Sequence, residues 1–528
     1  MATQLKEYGI PAERGIIKAH DGSSIVPIVL NEDVYTLFAD PVYVKDKKDA
    51  ADKLSRITGG NANDYLKEMQ RDTRYAVLAK KLDGNKKKAI EALDLKGIGL
   101  RAESIRVYPQ GSLASQLLGF VNDDGQGVYG IEQYMNDTLH GTDGMLKAIT
   151  DIKGVPLVAN QDNVSKDPVS GKDVTLTIDI GMQRKVEQLL KEHLPTVNSK
   201  SGSVVVLDPD TGAVKAMANY PSYDPSKYFD VKDQSLFTNP AVSSPLEVGS
   251  IMKTLTVATG LDTGAIKANQ TFYDPARFTV DGYTITDVAE DGGAQTRSIQ
   301  DILSYSLNSG ATWIMMQLGG GEINKKARDT DYDYLTNHYF FGQKTGIEQG
   351  YEAPGVVPDP DHGYGLNIKY ANMAFGQGFT VTPLQMAAAY ASTINGGTYY
   401  QPHLLDNGKS SDSWIKKRGV IKPKVSAEMR KMHETSVNTH YYSLKRAGYN
   451  IGGKTGTAQI AGPGGTYIDN VFNGTFIGFV GGDKPEYVIM IRVNKPHVDY
   501  FAGAAAAAPL FGKVTDMLIN DFSIPRAH

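Results

Sequence analysis

Apolar strands stand at both ends of the C-terminal two-thirds of this chain, with mostly helical spacing between them. Gly202-Ser-Val-Val-Val-Leu-Asp208 runs into a turn at Pro209-Asp210-Thr211-Gly212 and returns as Ala213 to Ala218, a hairpin with one buried strand. Gly474 to Val480 and Tyr487 to Val493 make a second apolar pair, joined by a Gly-Gly-Asp-Lys-Pro turn. The two pairs lie half a chain apart. Strands bury their backbone only by pairing, so the expectation is an α+β domain whose sheet is assembled from distant segments, with helices packed on it. Val174 to Ile178 reads as a further strand, Gln183 to Leu194 as a helix, and Ala504 to Asn520 as a closing helix.

The first third reads differently. Arg14 to Ile17 and Ser24 to Pro27 flank Asp21-Gly22 as a hairpin would, and the Lys-rich stretch Asp46 to Lys96 has helical spacing. A polar shift over Asn160–Gly171 marks a boundary, giving an N-terminal domain over 1–170 and a second over 171–528, within the range that 528 residues allow. No tandem repeat is present.

Several chemistries are excluded early. With no cysteine there is no disulfide, thiolate zinc site or cysteine nucleophile. The ten histidines form no HxxxH, HxxH or HExxH pattern, so no metal cofactor is expected. A balance of 55 Lys+Arg against 59 Asp+Glu argues against nucleic acid as partner. No apolar run approaches the ~18 residues of a membrane span, and Met1–Asp21 lacks the apolar core of a signal peptide.

Two motifs compete for Lys454. Gly448-Tyr-Asn-Ile-Gly-Gly-Lys454-Thr455 fits the nucleotide-binding pattern GxxxxGK[ST]. That motif needs a buried strand before the loop and a helix after it, to aim backbone amides at phosphate. Tyr441 to Arg446 is no buried strand, and Thr455 to Gly465 carries too many glycines and a proline for a helix. The rival is the serine-acyltransferase set SxxK, SxN and KTG. Each part occurs twice: Ser250/Lys253 and Ser413/Lys416, Ser306/Asn308 and Ser436/Asn438, and KTG at Lys344 and Lys454. Context chooses among them. Ser250 opens an apolar helix ending at Gly264, which places Lys253 one turn on and the Ser250 amide among unpaired donors. Ser413 lies in a polar surface turn, and Ser436 is expected at a solvent-facing position in a helix over Val425–His440. Ser306 to Gly310 is a turn between two helices, able to aim two side chains into a cleft. Lys344 sits in a Gly-rich loop without a strand, whereas Lys454 precedes the strands at 474 and 487. The set is Ser250, Ser306 and Lys454.

At this point the chain resembles the class B penicillin-binding proteins, the monofunctional peptidoglycan D,D-transpeptidases. Glu247-Val-Gly-Ser-Ile-Met-Lys253 is similar to their nucleophile block, and Phe375-Gly-Gln-Gly378 with Thr382-Pro-Leu-Gln385 and Asn395-Gly-Gly397 to a specific downstream block. Arg14 to Ile17, Arg106 to Pro109, Leu118-Gly119-Phe120 and Gly127 to Glu132 resemble pedestal motifs; Leu176 to Asp179 with Gln183 resembles the entry to the catalytic domain. The Phe341-Gly-Gln-Lys-Thr-Gly-Ile347 run resembles a family loop, which accounts for the decoy KTG. The resemblance implies the penicillin-binding fold, an antiparallel sheet flanked by helices, on an elongated N-terminal pedestal. Ile251, Met252 and Thr254 are mild departures from the usual nucleophile block, and the glycosyltransferase motifs of the bifunctional class are absent.

What the resemblance implies for chemistry is concrete. Ser250 attacks a D-Ala-D-Ala stem peptide or a β-lactam, with neutral Lys253 as base. Ser306 relays a proton and Asn308 holds the donor peptide or Lys253. Lys454, Thr455, Gly456 and Thr457 bind the terminal carboxylate, and the Ser250 and Thr457 amides form the oxyanion hole. No cofactor is implied. Expected partners are peptidoglycan stem peptides, β-lactam antibiotics and, through the pedestal, a polytopic glycan polymerase and other division proteins. The expected place is the outer face of the bacterial cell membrane, held by a single anchor cut away before Arg14. Phe278 to Asp287 resembles the division-type enzymes. A carboxypeptidase, a β-lactamase, a β-lactam sensor or an idle division scaffold would share the three motifs, and the nucleotide reading predicts ATP binding lost in Lys454→Ala.

Overall fold

In the computed structural model, which describes residues 4–150, 164–287, 292–462, 466–499 and 501–528, the distant strand pairs meet in one antiparallel sheet. Its strands are β1 (Ser201–Leu207), β2 (Val214–Tyr220), β3 (Asn450–Ala461), β4 (Tyr467–Gly481) and β5 (Pro485–Asn494), in the order β2-β1-β5-β4-β3. Val204 stands opposite Ile491, so the two ends of the domain pair directly. The strands read as continuous apolar runs because helices cover both faces. On one face α1 (Ile180–His193) and α6 (Ala508–Asp521) bury Val186, Leu190, Phe511 and Val514 against Val204 and Phe476. Towards the other face lie α2 (Lys253–Asp262) and α4 (Pro383–Ile394), both buried on every side. A helix apolar all round belongs in the interior.

Three motif residues turn out to build these elements. Gln183 extends the sheet's bonding: its side chain accepts from the Met217 amide at 2.8 Å and donates to the Met217 carbonyl at 2.9 Å. Thr382 and Gln385 form a reciprocal capping box at the start of α4. A π-helical turn at Gly503–Ala507 leads into α6, and a Cβ on Gly503 would lie 2.3 Å from the Gly456 carbonyl oxygen, so only glycine fits at its start.

The chain divides into two units. The first comprises Met1–Ile17, Pro27–Gln110 and Asp137–Asp173, the second Lys18–Val26, Gly111–Asn136 and Val174–His528. Segments from the first third therefore fold with the sheet. Phe120 stacks on Tyr228 at 4.2 Å and meets Phe237 edge-on at 5.0 Å. In the first unit, the strand ending at Ala39 pairs with Ile98–Val107 and with Ala76–Leu82 over a core of Leu54, Tyr65 and Met69. Ala76–Leu82 is a strand, although it lies in the stretch whose spacing predicts helix. Seven residues carry too little period to separate helix from strand, and a sheet neighbour supplied the backbone bonds. Lys47–Thr58, Ala62–Met69 and Gly84–Glu91 are helices as expected. Of the expected boundary, residues 160–163 lie outside the described residues. Among the described residues no helix is long and apolar enough to cross a membrane.

Candidate active site

The nucleophile turn departs from a plain helix start. Gly249–Met252 is a 3-10 turn, and α2 begins only at Lys253. In a 3-10 turn residues i and i+3 eclipse one another, so Lys253 stands over Ser250. Its Nζ lies 3.0 Å from Ser250 Oγ. The side chain is fully buried, yet its amine is surrounded by oxygen: it donates to the Ser306 carbonyl and, at 2.7 Å, to Asn308 Oδ1, with Ser306 Oγ at 3.2 Å.

Two local features aim those acceptors. Ser306 has φ +61°, a left-handed conformation that costs a non-glycine residue about 1 kcal/mol or more and turns both its oxygens towards Lys253. Asn308 is the first residue of α3 (Asn308–Leu318), so the helix begins inside the expected Ser306–Gly310 turn. Its Nδ2 donates to the Thr286 carbonyl at 3.2 Å, which leaves Oδ1 as the atom facing the amine. Ser309 ties the same turn to Asp287 through its amide and its hydroxyl.

Lys454 lies in mid-strand on β3, fully buried, and donates to the Thr455 carbonyl at 3.0 Å. No loop or helix follows it, so the geometry of a nucleotide-binding loop is not there. β3 is an edge strand, which leaves alternate amides along it unpaired by the sheet. Thr455 Oγ1 shares a hydrogen bond of 2.9 Å with Tyr441, and Thr457 Oγ1 accepts from the Gly503 amide at 3.0 Å. Gly456 leaves room for the nucleophile turn, because a Cβ there would sit 2.8 Å from the Val248 carbonyl oxygen. A Cβ on Gly249 would lie 2.7 Å from the Thr457 carbonyl oxygen, so Ser250 and Thr457 belong to backbones in contact. Behind the strand, on α5 (Pro423–Thr439), burial pushes His433 down to about 3, and the Lys454 charge adds to the effect.

The alternatives fall elsewhere. Ser413 is exposed in a surface turn and Lys344 on a surface loop. Ser436 is buried rather than solvent-facing, because Gln300 donates to its hydroxyl and Ser304 meets it across the α5 contact. Sequence reasoning assigned no role to Glu247, Tyr441, Tyr467 or Asp287. Only Glu247 had a local signal, its place three residues before Ser250.

Residues 202–516 match the family described as penicillin binding protein transpeptidase domain, and residues 9–176 the penicillin-binding protein dimerisation domain. The chain belongs to the penicillin-binding proteins. It is 31% identical over 516 residues to stage V sporulation protein D of Bacillus subtilis, covering 95% of this chain and 77% of that protein. To the Escherichia coli peptidoglycan D,D-transpeptidase FtsI it is 27% identical over 530 residues, covering 98% and 85%. Among solved penicillin-binding proteins, the crystal structure of penicillin binding protein 3 from Mycobacterium tuberculosis, complexed with aztreonam, superposes with TM-score 0.72 at 25% identity, covering 98% of each chain. Penicillin binding protein 2X from Streptococcus thermophilus shares the fold, with TM-score 0.80 at 21% identity over 97% of this chain and 80% of the other.

Proposed function

We propose that this penicillin-binding protein is a serine D,D-transpeptidase that cross-links peptidoglycan through a Ser250 acyl-enzyme and is acylated by β-lactams at the same residue. The observation that carries the reading is the set of partners around Lys253. The Ser306 carbonyl and Asn308 Oδ1 can only accept, and a neutral amine has two N–H groups for those two acceptors. Its lone pair then faces the Ser250 hydroxyl at 3.0 Å, as a general base requires.

Ser250 Oγ attacks the carbonyl of the D-Ala-D-Ala bond as Lys253 takes its proton. The Ser250 and Thr457 amides hold the oxyanion, each donor contributing ~3 kcal/mol to lowering the barrier. Ser306 Oγ, 3.2 Å from the amine, passes the proton to the leaving D-Ala nitrogen. Lys454 with Thr455, Gly456 and Thr457 receives the substrate's terminal carboxylate, a role suited to a fixed buried cation beside two hydroxyls. The amine of a second stem peptide then attacks the ester carbonyl and loses its proton to Lys253; the bond to Ser250 breaks as Lys253 returns that proton to Ser250 Oγ, leaving the cross-link.

We propose work outside the cytoplasm in septal wall synthesis, as the resemblance of Phe278 to Asp287 to the division-type enzymes implies. We propose too that the pedestal, over the residues that match the dimerisation domain, contacts a polytopic glycan polymerase and other division proteins. A labelled penicillin tests the core of this reading by intact mass. Wild type gains one adduct and Ser250→Ala gains none; an adduct on Ser250→Ala, or no adduct on wild type, refutes it.

A further inference from the structure

Phe375-Gly-Gln-Gly378 takes no part in the chemistry above, yet its glycines press on the turn that carries Ser250. Gly376 has φ +92°, and a Cβ there would lie 2.0 Å from the Gly249 carbonyl oxygen. The Gly249 amide donates to the Gly376 carbonyl at 3.1 Å. On its other side the same turn touches β3, where a Gly249 Cβ would meet the Thr457 carbonyl oxygen. The turn is thus held backbone against backbone between Phe375–Gly378 and the strand. Glycine contacts bring chains close but do not lock them, so the spacing depends on the ties at the ends of the turn.

One tie is the Thr475 hydroxyl, which donates to the Val248 carbonyl at 2.9 Å. The others converge on Glu247. Its Oε1 accepts from the Gly378 amide at 3.0 Å, and its Oε2 accepts from the Tyr467 hydroxyl at 3.0 Å, at the start of β4. Only a carboxylate offers two acceptor oxygens on one short side chain, and its charge strengthens both bonds. Burial raises the Glu247 carboxyl above the usual carboxylate range, and the Gly378 amide and Tyr467 hydroxyl pull against that rise.

We infer that Glu247 is a positioning residue: by tying the Gly378 amide and the Tyr467 hydroxyl to the nucleophile turn, it sets the gap between the Ser250 and Thr457 amides that an acyl oxyanion must bridge. The inference rests on the acyl-enzyme reading above. Its consequence falls on the transition state, where the oxyanion forms, and leaves ground-state binding of the ligand nearly untouched.

Acylation of the full chain by a fluorescent penicillin, followed over a range of concentrations, separates the maximal rate from the half-saturating concentration. Glu247→Ala is expected to lower the maximal rate about thirtyfold and Tyr467→Phe about fivefold, with half-saturation within about twofold of wild type. Glu247→Gln, keeping one acceptor, falls between wild type and Glu247→Ala. In the double variant Tyr467→Phe adds nothing, since its partner is already gone. Wild-type rates in Tyr467→Phe, losses confined to half-saturation, or multiplying effects in the double variant overturn the inference. If Glu247→Ala does not fold, Tyr467→Phe and Glu247→Gln decide it. A wild type that takes no label would instead refute the acyl-enzyme reading, so the two failures are distinct.

Discussion

Lys253 carries the chemistry only because its amine has somewhere to put two protons. Removing the Asn308 carbonyl leaves one N–H of a buried amine without its acceptor and lets the lone pair swing from Ser250. Asn308→Ala is therefore expected to slow acylation about a hundredfold while melting within a few degrees of wild type, read by label incorporation beside a thermal melt. Asp331 is a buried acid of the opposite kind. Its Oδ2 has no partner, and burial pushes the carboxyl up to about 7. The unfolded group ionises near 3.8, so burying the charge costs stability that grows as pH rises from about 4 to about 7 and then levels off. Asp331→Asn should melt above wild type at pH 8, with the difference vanishing at pH 4. A difference independent of pH would contradict the assignment.

Among the elements, β3, β4 and α6 decide whether the site exists. Phe511 on α6 packs on Phe476 of β4 with ring centres 4.3 Å apart. Phe511→Ala should cost ~3–5 kcal/mol in chemical denaturation, leaving the acylation rate of the folded fraction near wild type. The two glycines of the Phe375–Gly378 turn should separate cleanly. Ala at 376 drives a methyl into the Gly249 carbonyl, whereas Ala at 378 finds nothing nearer than 3.9 Å and meets only backbone strain. Gly376→Ala should abolish acylation and Gly378→Ala should retain it. Elements were readable from sequence where an apolar period was long, as in β1, β4, β5 and α6. They were misread where the period was short or where a neighbour decided it. Ala76–Leu82 became a strand by pairing, and Ser436 became buried because α5 packs its polar face on Gln300 and Ser304.

At the scale of the molecule, two units with separate cores should melt as two events. Penicillin should shift only the event belonging to the unit with Ser250, measured calorimetrically on the full chain. Phe120→Ala should lower that same event, since its ring stacks on Tyr228, while Leu54→Ala should lower the other. If Phe120→Ala lowered the event that penicillin leaves alone, the assignment of Gly111–Asn136 to the second unit would be wrong.

The sequence by itself determined which groups could do chemistry: no cysteine, no metal pattern, and one SxxK, one SxN and one KTG whose neighbours suited an active site. Its strand runs also determined that distant segments had to pair. Tertiary structure alone decided that Lys253 meets Asn308, that Ser250 and Thr457 lie on touching backbones, and that Glu247 ties Gly378 to Tyr467. The reason is one of range. Periodicity reports which face of an element is buried, over a turn or two of chain. A hydrogen bond between residues fifty or more apart exists only once the fold has closed and brought its bearers within 3 Å or so.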